Sequence, residues 1–339
     1  MEIGSQYDRG DGPMSWENLF KDLRIGRIAE AYPLTYLDIG TRDGLQDDLY
    51  ALAFVVHAIG FEPEPAEFAR LSNAGPGPWA SWRMLPVAIS PAGGSAVLHV
   101  SDDRNGASLL SPLPAVGERF NKTQFFDLER TLDVETRTLN VAVEMAEIDT
   151  IDYLKIDIEG GELGVFESSR ATLKDTLVIK TEACYLPVRK GQGLAHEIDA
   201  CLTTNGFELM DLVRPAHWRR EGHVLHPRIS DAIPPYARGQ LIHGDFLYFR
   251  DPGTLDDRPE RLIRLGLLAA AMGYFDHALM AFERAAASEQ LSQILGGDAL
   301  DIVNEASRVY GRRAFGQAFR RQLRSVAGLL WDLPRVLRA

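Results

Sequence analysis

Cysteine is nearly absent: Cys184 and Cys201 are the only two in 339 residues. They form no C-x-x-C pair and fit no zinc spacing. That excludes a disulfide framework and leaves two reduced thiols, as expected of a cytoplasmic chain. No stretch approaches the roughly 18 apolar residues of a membrane-spanning helix. The polar Met1–Gly12 is followed by no apolar segment, so a secretory leader is not expected. Positive charge is in deficit, with 36 Lys and Arg against 48 Asp and Glu and a net charge of −12. A general nucleic-acid binder needs a basic footprint, so that class is excluded. The dinucleotide fingerprint G-x-G-x-x-G is missing as well.

What is present is the composition of a globular protein, 45% hydrophobic and 25% charged. The length suits one large α/β domain with a small appendage. Apolar runs suited to buried parallel strands fall at Thr35–Ile39, Val55–Phe61, Arg83–Ala88, Ser95–Val100, Ile151–Ile158 and Thr176–Thr181. Helical patterns alternate with them, which predicts a doubly wound, mostly parallel sheet. The runs 207–213 and 245–250 are close enough in sequence to pair antiparallel at its edge. Ahead of the sheet, residues 1–34 read as a polar leader and a short helix capped at Ser15. Behind it, Asp251–Thr254 and Asp256–Pro259 read as a linker. Residues 253–339 read as a helical extension, its start spaced like one tetratricopeptide helix pair or an ordinary hairpin.

Two strand ends carry the chemistry. Leu37-Asp38-Ile39-Gly40 opens a turn that closes at Gly44, and Lys155-Ile156-Asp157-Ile158-Glu159-Gly160-Gly161-Glu162 opens another. In open α/β sheets ligands bind beyond the carboxyl ends of the strands. A carboxylate at position 38 repels a pyrophosphate but suits a cationic amino-acid group. This favours S-adenosylmethionine over NAD, although an NAD-dependent oxidoreductase stays the alternative enzyme class. Glu62 ends the second strand 24 residues after Asp38, where an acid accepts hydrogen bonds from ribose hydroxyls.

Taken with Gly60-Phe61-Glu62-Pro63, Pro86–Ser90, Asn105–Leu109, Thr181-Glu182 and Asp245–Arg250, these segments resemble the FkbM-type methyltransferases. The resemblance covers about residues 34–250, with Gly40-Thr41-Arg42 standing where the usual turn is Gly-Ala-Asn. It implies a class I, Rossmann-like methyltransferase domain over 35–252 with a seven-stranded sheet. It implies S-adenosylmethionine as cofactor and a hydroxyl of a small molecule or carbohydrate as acceptor. Asp38, Gly40 and Gly44 would then hold the methionine end, Glu62 the ribose, and Ala88 would border the adenine. Asp157 and Glu159, joined by Glu182, would face the reacting methyl. Either of the first two could be the base, and the three together could instead ligate Mg²⁺. In the first turn of a helix, Glu159 and Glu162 could equally serve its dipole.

Two segments stand apart. Arg214–Gly244, 31 residues long and rich in histidine and arginine, reads as a lid over an anionic acceptor or as a plain surface loop. Three histidines within it, 217, 223 and 226, are spaced irregularly for zinc. Arg312–Arg338 is a basic amphipathic stretch with one acid, Asp332. It is expected to dock on the chain's own acidic core or on a second subunit of a homo-oligomer. Peripheral membrane contact, or a non-catalytic binding role for the helical tail, is the alternative.

Overall fold

The computed structural model describes residues 16–42, 44–101, 106–220, 239–255, 257–288 and 293–336. Among the described residues ten strands run β1 Leu34–Ile39, β2 Val56–Phe61, β3 Ser81–Leu85, β4 Ala88–Ile89, β5 Gly94–Ser101, β6 Leu128–Arg137, β7 Tyr153–Ile156, β8 Val178–Cys184, β9 Phe207–Trp218 and β10 Gln240–Arg250. The helices used below are α1 Arg24–Ala31, α2 Pro65–Ser72, α3 Pro114–Phe120, α4 Leu139–Met145, α5 Glu162–Ser168, α6 Arg170–Lys174, α7 Ala195–Thr204, α8 Pro259–Ala271, α9 Phe275–Ala286 and α10 Ala299–Val336.

Seven strands form the main sheet in the order β3-β2-β1-β7-β8-β10-β9. The five from β3 to β8 are parallel, and β10 runs against them, pairing antiparallel with both β8 and β9. This is the class I methyltransferase topology, with helices on both faces. Alternation along the strands explains the layers. Tyr36, Val56, Ala58, Tyr153, Val178 and Phe249 point to one face, where α1, α8, α9 and the start of α10 cover them. Leu37, Ile39, Ile59, Leu154, Ile156 and Ile179 point to the other, under α4, α5 and α7. Both faces are therefore buried, at about 1.5–3 kcal/mol for each large apolar side chain.

The sequence-based strands differ from these in instructive ways. Arg83–Ala88 is not one strand: β3 ends at Leu85, and Ala88-Ile89 joins a separate three-stranded sheet, β4-β6-β5. Ser95–Val100 belongs to that small sheet too, paired antiparallel with β6. β6 was not expected because LERTLDVETR is polar and mostly exposed, with no apolar run. The predicted helix from Ser15 is shorter. Residues 16–23 are turns, α1 starts at Arg24, and Ser15 lies outside the described residues. β7 stops at Ile156, two residues early, because Glu159 takes a left-handed conformation at φ 60.

The edge hairpin is longer than expected. β9 runs on through Pro215 to Trp218, which pairs with Gln240. Proline and charge made this stretch read as loop, yet both are tolerated on an edge strand. His217 and His243 are thus strand residues, whereas His223, His226 and Tyr236 lie outside the described residues. The linker is packed rather than free. Leu255 is buried in the core shared with α8 and α9, and Arg258 pairs with Asp175. α8 and α9 form a helical hairpin, in which Gly266 makes room for Phe282. Among the described residues no helix is long and apolar enough to cross a membrane, and both cysteines are free.

Candidate active site

A cavity of about 420 Å³ opens at the carboxyl ends of β1, β2 and β7. It lies where the chain leaves β1 toward β2 on one side while β7 sits on the other, the switch point of a doubly wound sheet. Gly40 forms its floor. At φ 84, a Cβ there would lie 1.9 Å from the Asp157 carbonyl oxygen, so only glycine fits. Gly44, also at positive φ, lines the same cavity.

Lys155 ties the two strand ends together. Its ammonium donates to the Gly40 carbonyl at 3.1 Å and pairs with Asp38 at 3.2 Å and Asp157 at 3.7 Å. Burial works against its charge, but the two carboxylates outweigh that and raise its pKa. Asp38 is fully buried, takes a hydrogen bond from the Tyr36 hydroxyl, and is not among the residues lining the cavity. Its carboxyl therefore reaches the turn through Lys155, not through open space. Burial raises its pKa, against the pull of Lys155.

Glu62 and Ala88 both line the cavity. Glu62 is 4% exposed, accepts from the Glu64 amide at 2.8 Å, and is pushed up to about 7 by burial. Val87, Ile89, Leu98 and Leu109 make an apolar slot beside Ala88, the last two brought in by the small sheet and the loop after it. Arg42 also lines the cavity but turns its guanidinium to Glu64, which Arg130 holds from the other side at 2.7 Å.

At the other end stand Asp157 and Glu159. The Asp157 side chain is 35% exposed. Arg189 holds Glu159 at 3.0 Å, while burial foremost raises the Glu159 pKa. Glu182 does not line the cavity, but its carboxylate, with those of Asp157 and Glu159, has ligand atoms within 4.8 Å of one another. Glu182 pairs with His243 Nδ1 at 2.7 Å. Burial and the nearby Glu159 push Glu182 up to about 8. Burial opposes charge on His243, but Glu182 overrides it and holds the imidazole up to about 9. Glu162 is structural: buried in the first turn of α5, it accepts from the Ile158 and Gly160 amides and pins the turn.

Sequence reasoning placed Glu182 at the site but missed Arg189 and the pairing of Glu182 with His243, because Arg189 and His243 lie far along the chain and in no motif. The Asn105–Leu109 segment was noted, and within it Ser108 donates to the Glu159 carbonyl at 2.9 Å.

With this geometry in view, comparison with known proteins is decisive. The family described as the Methyltransferase FkbM domain matches residues 38–209, half of the chain. The chain belongs to the FkbM methyltransferase family. S-adenosylmethionine is the cofactor of that family, and the dinucleotide oxidoreductase alternative gives way to it. A relative, the 2-O-methyltransferase NoeI of Sinorhizobium fredii, is 29% identical over 160 residues. That match covers 46% of this chain and 65% of the relative's length. Among solved structures, TehB of Haemophilus influenzae is 11% identical with a TM-score of 0.32, over 67% of this chain and 62% of that one. The N-terminal domain of EvdMO1 with SAH bound is 11% identical at 0.31, over 70% and 82%. The strand order above, not these two likenesses, defines the FkbM chain's fold.

Proposed function

We propose that this chain is an S-adenosylmethionine-dependent O-methyltransferase that acts on a hydroxyl of a small molecule or sugar. One observation carries the reading: a single cavity runs from the buried carboxylate of Glu62, across the side-chain-free turn at Gly40, to Asp157 and Glu159. The residues suit the cofactor. Glu62 offers lone pairs to ribose hydroxyls, Ala88 and its apolar neighbours a slot for a purine, and the turn at Gly40 and Gly44 bare backbone for the methionine end. Asp38 contributes through Lys155, by holding the Gly40 carbonyl in place.

When bound, the cofactor supplies an electrophilic methyl on a sulfonium. The chain's part is to align the acceptor oxygen behind that methyl and to take its proton. Alignment alone supplies about 7–11 kcal/mol of such a barrier, and a positioned base about 10²–10⁴-fold in rate. Asp157 is best placed as the base: it and Glu159 both line the cavity, but Asp157 makes the longer 3.7 Å pair with Lys155, whereas Arg189 holds Glu159 at 3.0 Å and His243 holds Glu182, which does not line it, at 2.7 Å. A second reading has one specific support, the proximity of the three carboxylates, which could hold a divalent cation.

S-adenosylhomocysteine at 100 times its dissociation constant should stabilise the chain by about 2.7 kcal/mol. Stabilisation by NAD and not by this product would refute the reading. Binding should also tighten as pH rises through about 7, because the ionised Glu62 offers both oxygens as charge-assisted acceptors to the ribose hydroxyls, and the protonated form accepts more weakly. Glu62→Gln should weaken binding and flatten that pH dependence. A pH profile identical to that of the unaltered protein would remove Glu62 from the ribose site.

A further inference from the structure

Packing of α10 changes character part-way along. Ile302, Val303 and Ala306 are buried against the body, and Arg313 is 8% exposed beneath Trp16. Beyond Arg313 the helix was expected to lie on the protein's acidic core or on a second subunit, and its apolar residues are not buried against the core. Phe319, Leu323, Val326, Leu330 and Leu333 are all exposed, Leu330 to 64%. Their spacings of four, three, four and three residues put them on one helical stripe. Phe315 stacks on Phe319 at 6.1 Å beside that stripe, and Trp331 is 71% exposed.

We propose that this half of α10 docks on an anionic lipid surface. Charge selects that occupant. From Ala306 to the end of the chain there are eight arginines and one acid, Asp332, in a protein of net charge −12. Arg320 is exposed at the edge of the stripe, and Arg324 and Arg321 are exposed on the polar face behind it. An apolar stripe of this kind enters the headgroup boundary while its arginines meet anionic headgroups, so that the helix lies in the surface and does not cross it. A second copy of the chain fits less well. Pairing the stripes would bring together two arginine-rich helices with almost no acid to offset them, and like charges repel.

The test uses the full chain and vesicles of phosphatidylcholine, with or without phosphatidylglycerol, in a co-sedimentation assay. Binding to the anionic vesicles should exceed binding to the neutral ones by at least about tenfold and fall steeply with salt. It should be lost in Phe319→Gln/Leu323→Gln/Leu330→Gln and in Arg320→Gln/Arg321→Gln/Arg324→Gln. Helical content and melting temperature should not change, because these side chains are exposed. Failure of the intact chain to sediment with anionic vesicles would overturn the proposal. So would a dimer in analytical ultracentrifugation that the apolar triple variant splits, since the stripe would then be covered by a second copy. Equal binding to neutral vesicles would overturn the role of the arginines. Each readout is independent of methyl transfer.

Discussion

Asp157→Asn should lower turnover by about 10²-fold or more, with whatever hydroxyl acceptor the unaltered chain methylates. Asp157 presents its carboxylate to the cavity at the end of β7, and the amide cannot take a proton. Affinity for S-adenosylhomocysteine should change far less, because the purine and ribose are assigned elsewhere in the cavity. Glu159→Gln should have a smaller effect on the proton and a larger one on the loop, since it loses the pair with Arg189. A chelator arm separates the two readings of the carboxylate cluster. If the acids act directly, a chelator leaves turnover intact. If they hold a cation, activity disappears with chelator and returns with Mg²⁺. Near-normal turnover in both variants, with chelator present, would move the search for the base to Glu182 and His243.

The second large effect concerns the fold. Asp152, just before β7, is fully buried and accepts from the Thr35 amide at 2.8 Å. Arg261 and Arg264 of α8 converge on the same carboxylate, and Arg261 also reaches the Ile151 carbonyl at 3.3 Å. Removing one partner of a buried ion cluster costs about 3–5 kcal/mol, because the remaining charge is left without compensation. Arg264 is 26% exposed, which places the expected loss at the lower end of that range. Asp152→Ala should therefore lower the melting temperature by roughly 4 °C. Asp152→Asn keeps the acceptor for Thr35 and should lose less. A melting temperature within a degree of the unaltered protein in Asp152→Ala would mean that α8 is held by apolar packing alone.

Much of the architecture was legible because it rests on local patterns. Mostly apolar runs such as Leu34–Ile39 and Tyr153–Ile156 can be buried on both faces, and parallel strands between helices are the way to do it. Glycine turns straight after those runs mark where backbone must pass close to something else, and Gly40 against Asp157 is that case. β6 was not legible, since it is an exposed, polar strand whose stability comes from its partners β4 and β5 and not from its own residues. The continuation of β9 through Arg214 and Pro215 was hidden for the same reason, because an edge strand tolerates what a central one cannot.

By itself, the sequence determined the parallel core, the edge hairpin, and the placing of Gly40, Gly44, Glu62, Asp157 and Glu159 around one end of the sheet. These follow from periodicity and from strand ends, which are properties of neighbours along the chain. Only the tertiary structure decided who meets whom across long separations. It turned Asp38 inward onto Lys155, joined Glu182 to His243 and Glu159 to Arg189, and brought Leu98 of the small sheet over the cavity. It also merged the C-terminal helices with the sheet into one core and left Phe319, Leu323, Val326, Leu330 and Leu333 of α10 exposed. The physical reason is that a charged side chain shows its partner only when burial forces it to find one, and burial is a property of the folded chain.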